Sequence, residues 1–408
     1  MSRIVITGMG AVTPVGIGAE NYIKAIQAGQ CGIAPITKID TDSLPVKIAG
    51  EIKGFDPLDY IPKKTAENMV DFMHYAYAAA EEALSDSGLE IAPYRTGIIM
   101  GTALDGLTEI GRTQRALDID GKKVGPKFLT KVLGNLAPAQ FAIAHGIKGP
   151  SMTVNTACSS GGDAMTMAAM MLNSGEADAM VVMAGECGVS PLLIGCLAKS
   201  QALTRNNDDP QHASRPFDVN RNGFVIGEGG GAFILETLEH AERRGADIKA
   251  EFLGYANNTD AYHMVAPHPH GEGAAECVRL ALAKAGLAPE QVGYLNAHGT
   301  STPAGDIAEA EAIKAAFGGY GREIPVSSTK GATGHLMGAG GITEVIACIS
   351  AIRDGILPPN LNCDEKDPLC DINVVTKPGT RAKVDVAMSN SLGFGGQNSC
   401  IIVGRYNG

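Results

Sequence analysis

Positive charge is scarce in this 408-residue chain, where 33 Lys and Arg stand against 44 Asp and Glu for a net charge of −11. Broad nucleic-acid binding runs on basic surfaces and is not expected, and an acidic protein partner would need a local basic patch. The nine cysteines include no C-x-x-C pair, which argues against a zinc framework, and a disulfide scaffold is not expected at this length. Long apolar runs are missing too. No stretch reaches about 18 unbroken apolar residues, so no transmembrane helix is expected. The opening MSRIVITGMGAVTPVG lacks the apolar core and cleavage site of a signal peptide. A reduced cytoplasm is the expected setting.

What is present is the balance of an ordinary enzyme, 45% hydrophobic and 19% charged, with 52 glycines for tight turns and close backbone approaches. The length allows a large core. Strand-like runs at 3–7, 96–101, 179–185, 231–236, 294–297 and 386–391 alternate with helix-like segments at 65–87, 161–174, 237–245, 272–286, 306–317 and 341–354. That alternation predicts an α/β protein of βαβ units with buried sheets. TACSSGGDAMTMAAMMLNSG (156–175) and TGHLMGAGGITEVIACISAIRDG (333–355) share a Thr-led turn, a glycine pair and an apolar helix ending at Gly. Gly162 then aligns with Gly341 and Gly175 with Gly355. This suggests two related halves, 1–250 and 251–408, packed as one body.

Four segments could carry chemistry. Cys158, in MTVNTACSSGGDAM, sits between an extended run and a helix whose free N–H groups would favour a thiolate. The same residue also reads as a small buried core cysteine. NAHGTSTPAGD (296–306) brings His298, Thr300 and Thr302, and STKGATGHLMGAGG (328–341) brings Lys330 and His335. The glycines of SNSLGFGGQN (389–398), around Phe394, could aim backbone N–H groups at an anion. All four lie at strand ends or helix starts, where α/β folds place their chemistry.

TACSSG, NAHGTSTPAGD, STKGATGHLMGAGG and GFGG, in this order and spacing, resemble the β-ketoacyl-[acyl carrier protein] synthases of the thiolase superfamily, in particular the type II enzymes. The resemblance runs nearly end to end. It implies a duplicated thiolase-like α/β fold, two βαβαβαββ halves in an αβαβα layered body, the second carrying both histidines. It implies decarboxylative Claisen condensation of an acyl group held on Cys158 with a malonyl carrier protein, giving a 3-oxoacyl carrier protein for fatty-acid elongation. Cys158 and Phe394 backbone N–H groups would form the oxyanion hole, and His298 and His335 would stabilise the enolate. Lys330 would order the histidines with Glu344 as its partner, while Thr300 and Thr302 would bind pantetheine. Leu104, Leu197, Phe394 and His263 would shape the acyl pocket and its gate. Lys63, Lys64 and Arg205 would dock the acyl carrier protein. The resemblance also implies a homodimer, with a heterodimer as the alternative, and no metal or redox cofactor.

Three departures stand out. Asp105 follows the Leu104 gate position where the family usually has Gly, Val265 replaces a pantetheine-binding threonine, and the basic run near 62–72 is thinned. The altered gate would also suit a polyketide or aryl-polyene ketosynthase. A dinucleotide site at Gly8 and Gly10 lacks its third glycine at position 13. A metal site from His263, His268 and His270 has no compact ligand spacing. The D-S-L of a carrier-type site in DTDSL (40–44), with Ser43, is followed at once by Pro45 with no helix behind it.

Overall fold

The computed structural model describes residues 2–408. Ten of its strands carry the architecture. The first half holds β1 (Ile4–Thr13), β2 (Thr96–Gly101), β3 (Ser151–Val154), β4 (Ala179–Glu186) and β5 (Gly229–Thr237). The second holds β6 (Ala250–Thr259), β7 (Tyr294–Asn296), β8 (Pro325–Ser327), β9 (Val386–Gly393) and β10 (Gln397–Gly404). They pair in the order β3-β2-β4-β5-β1-β6-β10-β9-β7-β8. In each half the first strand runs antiparallel to the last and the last antiparallel to the fourth. The fourth is parallel to the second and the second parallel to the third. The two sheets join where Ile4–Ile6 of β1 pair with Ala250–Phe252 of β6. This is the duplicated thiolase-like plan.

Helices fill the layers on either side. α1 (Asp71–Ser87) covers one face of the first sheet and ends at Gly88 in the left-handed conformation. α2 (Leu107–Asp120) follows β2, and α3 (Ser160–Asn173) and α4 (Pro191–Lys199) follow β3 and β4. On the second sheet, α5 (Glu272–Ala285) packs on β6 and β10, and α6 (Pro303–Phe317) packs on α5. α3 and α7 (Gly340–Asp354) meet between the two sheets. Every residue of α7 from Gly340 to Ile352 is buried, which is why, Glu344 apart, its sequence is apolar or small on all sides. The aligned glycines make that contact possible: a Cβ on Gly341 would lie 2.9 Å from Gly162 N, and one on Gly161 would lie 2.7 Å from Gly338 O.

Gly8 and Gly10 have a packing role rather than a phosphate-binding one. They lie within β1, where added Cβ atoms would fall 2.1 Å from Ala83 O and 1.9 Å from Ala79 O of α1. No helix of the described residues is long and apolar enough to cross a membrane.

Candidate active site

Cys158 lies in the turn between β3 and α3, just after Ala157, whose φ of +51° is unusual for a residue with a side chain. Ser159 stands at the N-cap position of the helix that starts at Ser160, its hydroxyl donating across to Gln397 O at 2.7 Å rather than capping. Burial pushes the Cys158 thiol up to about 12, opposed by the charge of Lys330 and by a hydrogen bond from the Phe394 backbone N–H. The helix start therefore does not make a resting thiolate, because loss of water outweighs it. The cysteine waits as a thiol with donors already aimed at its sulfur.

Two histidines face it. The backbone of His335 is pinned on both sides, its N–H donating to Val225 O at 2.7 Å and its O accepting from Gly227 N–H at 2.9 Å. Its Nε2 lies 3.0 Å from Cys158 Sγ. His298 emerges from β7 with its ring centroid 5.2 Å from that of His335, the planes at 86°. One ligand atom each from Cys158, His298 and His335 falls within 4.8 Å of the others. Burial holds both imidazoles well below the usual histidine range, with the Lys330 charge adding to it, so both are neutral at pH 7. Both Nδ1 atoms are buried without a partner. Since an orphaned buried N–H is the rarer arrangement, the protons belong on Nε2.

Behind the histidines Lys330 pairs with Glu344, each about 2% exposed. Burial raises the Glu344 carboxyl while Lys330 draws it down. Two further acids on α6 escaped the sequence reading. Glu309 accepts the backbone N–H groups of His298 and Gly299, both at 2.7 Å. Asp306 accepts those of Ser301 at 3.1 Å and Phe217 at 2.8 Å, and pairs with Arg221 at 3.3 Å. Their spacing of three puts them on one helix face. In sequence such a pair reads as a solvated face, and only the buried loop above it reveals the clamp.

A cavity of about 420 Å³ opens over these groups. Leu104, Leu197, Phe224 and Met337 form an apolar wall near Cys158, while Thr300 and Thr302, with their hydroxyls 3.0 Å apart, line it with Phe394. Phe394 and Val265 are half exposed and mark the open end. His263 does not line the cavity. It is exposed, and its Nδ1 accepts the N–H groups of Val265 and Ala266 at 3.0 Å each, a local turn that keeps its ring at the surface. His268 takes a place in the lining instead. Lys63 and Lys64 are exposed on a short helix, Lys63–Ala66, and Arg205 is exposed beside the end of α4, donating to Ala198 O at 3.3 Å. Cys158, His298 and His335, dispersed over nearly 180 residues, thus converge with Lys330 and Glu344 behind them.

The model for the beta-ketoacyl synthase N-terminal domain matches residues 1–241, and that for the C-terminal domain matches residues 249–364. The 3-oxoacyl-[acyl-carrier-protein] synthase 2 of Coxiella burnetii is 42% identical over 408 residues, covering 99% of this chain and 98% of that protein. The Staphylococcus aureus (strain COL) protein of the same name is 41% identical over 409 residues, with 99% and 98% covered. Among solved structures, the ishigamide ketosynthase/chain length factor superposes with a TM-score of 0.93 at 32% identity, with 100% of both chains covered. A type II polyketide ketosynthase, solved with its acyl-carrier protein and bound to the hexaketide, gives 0.89 at 30%, again with full coverage of both. The chain belongs to the beta-ketoacyl synthase family of condensing acyltransferases.

Proposed function

We propose that this enzyme extends carrier-bound acyl chains by decarboxylative Claisen condensation, with Cys158 as the nucleophile. The observation that carries the reading is the 3.0 Å approach of His335 Nε2 to Cys158 Sγ, with neutral His298 close beside it in a largely apolar cavity. In the first half-reaction the thiol exchanges with an acyl thioester of the carrier's phosphopantetheine. The S–acyl bond moves to Cys158, and the thiol proton leaves with the pantetheine sulfur. Backbone N–H groups of Cys158 and Phe394 hold the oxyanion of that transfer. In the second, a malonyl thioester loses carbon dioxide while the Nε2–H groups of His298 and His335 donate to its carbonyl oxygen, holding the enolate. The enolate carbon attacks acyl-Cys158, breaking its S–acyl bond and releasing a 3-oxoacyl carrier protein, and the Cys158 thiolate that leaves takes a proton from water to restore the thiol. Lys330 and Glu344 keep the histidines neutral and oriented, and Thr300 and Thr302 hydrogen-bond the pantetheine amides. These steps require no metal or redox cofactor.

The carrier docks on the basic side chains Lys63, Lys64 and Arg205. A second basic patch strengthens this reading: a hollow of about 670 Å³ is lined by Arg112, Lys122, Lys123, Lys127 and Lys131, of which Arg112 pairs with Glu109 and Lys122 with Asp120. On a chain of net −11 such a concentration suits an acidic partner. The biological unit is a dimer. β3 is an edge strand, and the apolar side chain of Met152 on it is exposed, as are those of Ile110 and Leu129 elsewhere in the first half. Edges and patches of this kind are ordinarily covered. A homodimer serves the fatty-acid role, in keeping with the names of the curated relatives. A polyketide role with a heterodimeric partner is the second reading, favoured by the ketosynthase/chain length factor neighbour and by Asp105.

The test supplies acyl carrier protein and malonyl carrier protein together and follows the products by mass. A 3-oxoacyl carrier product formed by wild type and abolished in Cys158→Ala is expected. Equal product from both would defeat the proposal.

A further inference from the structure

The turn carrying Leu104 has a feature that condensation chemistry does not require. Leu107 N–H closes it on Leu104 O at 3.1 Å, with Asp105 at φ +47° and Gly106 at φ −83° between them. A positive φ at the first central position is glycine's place in such a turn, and a side chain there is strained. Asp105 also has a buried Oδ1 without a hydrogen-bond partner. Its carboxylate fits only because residue 134 is glycine, since a Cβ on Gly134 would lie 2.0 Å from Asp105 Oδ1.

The side chain is wedged between two parts of the site. Asn155, beside the nucleophile's turn, donates from its amide to Ala103 O at 3.3 Å, while its Oδ1 accepts the N–H of Ala157, the residue before the nucleophile. Thr102 Oγ1 accepts the Asp105 N–H at 3.2 Å. On the far side the buried Glu186 carboxyl accepts the N–H groups of Ala103 and Leu104. Leu104 is therefore gripped through its backbone, and its side chain packs beside Gly188 on the cavity wall that contains Cys158.

We propose that Asp105 is a positioning residue for acyl-chain selection: its wedged carboxylate locks the turn, holds Leu104 as a fixed inner wall, and confines Cys158 to acyl groups that end there. The proposal rests on the condensing activity above and adds which chains that activity accepts. A glycine at 105 relieves the strain and removes the wedge against Gly134, so Leu104 gains freedom to swing aside.

The experiment loads Cys158 from carrier proteins bearing a short and a long saturated chain, and reads the initial rates by intact mass. Asp105→Gly should raise the ratio of long-chain to short-chain loading roughly tenfold, with short-chain loading nearly unchanged as the check on folding. Asp105→Asn, which keeps the wedge, should retain the wild-type ratio. Gly134→Ala should displace the carboxylate and shift the ratio in the wild-type background, but add nothing to Asp105→Gly. An unchanged ratio in Asp105→Gly, or an equal effect of Gly134→Ala in both backgrounds, overturns the proposal while leaving condensation intact. Failure of wild type and every variant to load any chain overturns the condensing reading and this one together.

Discussion

Replacing Lys330 by Met should separate two tasks of one buried cation. Its Nζ bonds Glu344, whose second oxygen has no other partner, and both residues are shielded from water. Removing one member of a buried ion pair leaves a carboxyl with neither cation nor solvent, a loss of about 3–5 kcal/mol. Unfolding entropy near 2.1 cal/mol/K per residue gives about 0.9 kcal/mol/K for the whole chain, so the thermal midpoint should fall about 3–6 °C. The second task is electrostatic. The Lys330 charge pushes both histidines down, so without it their pKa values rise. Condensation needs the neutral rings, and the acid limb of the pH profile for malonyl-carrier decarboxylation should move to higher pH. The Lys330→Met/Glu344→Leu double variant removes the stranded carboxyl and should recover most of the stability, because apolar replacement of a buried pair is often neutral. It should keep the displaced acid limb. Thermal unfolding and the decarboxylation profile read the two effects separately. A single variant with wild-type midpoint and profile, or a double variant as unstable as the single one, would refute the reasoning.

Removing either histidine's donor, in His298→Ala or His335→Ala, should slow decarboxylation on the order of 10²–10³-fold, while acylation of Cys158 from an acyl carrier persists; single-turnover assays of each half-reaction check this. The buried carboxyls of Glu186, Glu309 and Asp306 are raised by burial to about 8, 7 and 6. Folded Glu186 thus holds a proton that the unfolded chain gives up, so its contribution is complete at acid pH and is lost as pH rises through about 8. The midpoint of unfolding should decline from about pH 4.5 to about pH 8 and level off above it, and Glu186→Gln should flatten that decline. Charge reversal at Lys122 and Lys123 should raise the KM for carrier-borne substrate roughly tenfold with kcat unchanged, and leave turnover of free pantetheine thioesters untouched.

The sequence made the buried centre of the molecule legible because burial leaves a strong pattern. TGIIMG and AMVVMAG read as strands since β2 and β4 are buried throughout. The two helices that meet between the sheets betrayed themselves by paired glycines and apolar residues all round. β6 and β10 went unread. β6 mixes buried and exposed positions with two asparagines, and β10 begins in the Gly-rich turn that hid its start. β1 reaches Thr13 rather than ending at residue 7, because Gly8 and Gly10 serve a close helix contact instead of breaking the strand. The helix expected over 65–87 is two pieces, Lys63–Ala66 and Asp71–Ser87. Within the site, motif residues with reactive side chains were recognisable, and supports acting through the backbone were not. Glu309, Asp306 and Glu186 grip peptide N–H groups far away in sequence or buried in a loop, and no local spacing announces such a bond. The placement of His263 failed for the same reason, since its ring is captured by the turn that follows it.

The most direct measurement is the stoichiometry of Cys158 acylation. Wild type and Cys158→Ala are incubated with acyl carrier protein, digested and mapped by mass, then exposed to malonyl carrier protein. The account predicts one acyl group per wild-type chain, located on the peptide containing Cys158, none on the variant, and its discharge as 3-oxoacyl carrier product. An acyl group on another residue, or one on Cys158 that malonyl carrier protein never discharges, would contradict it.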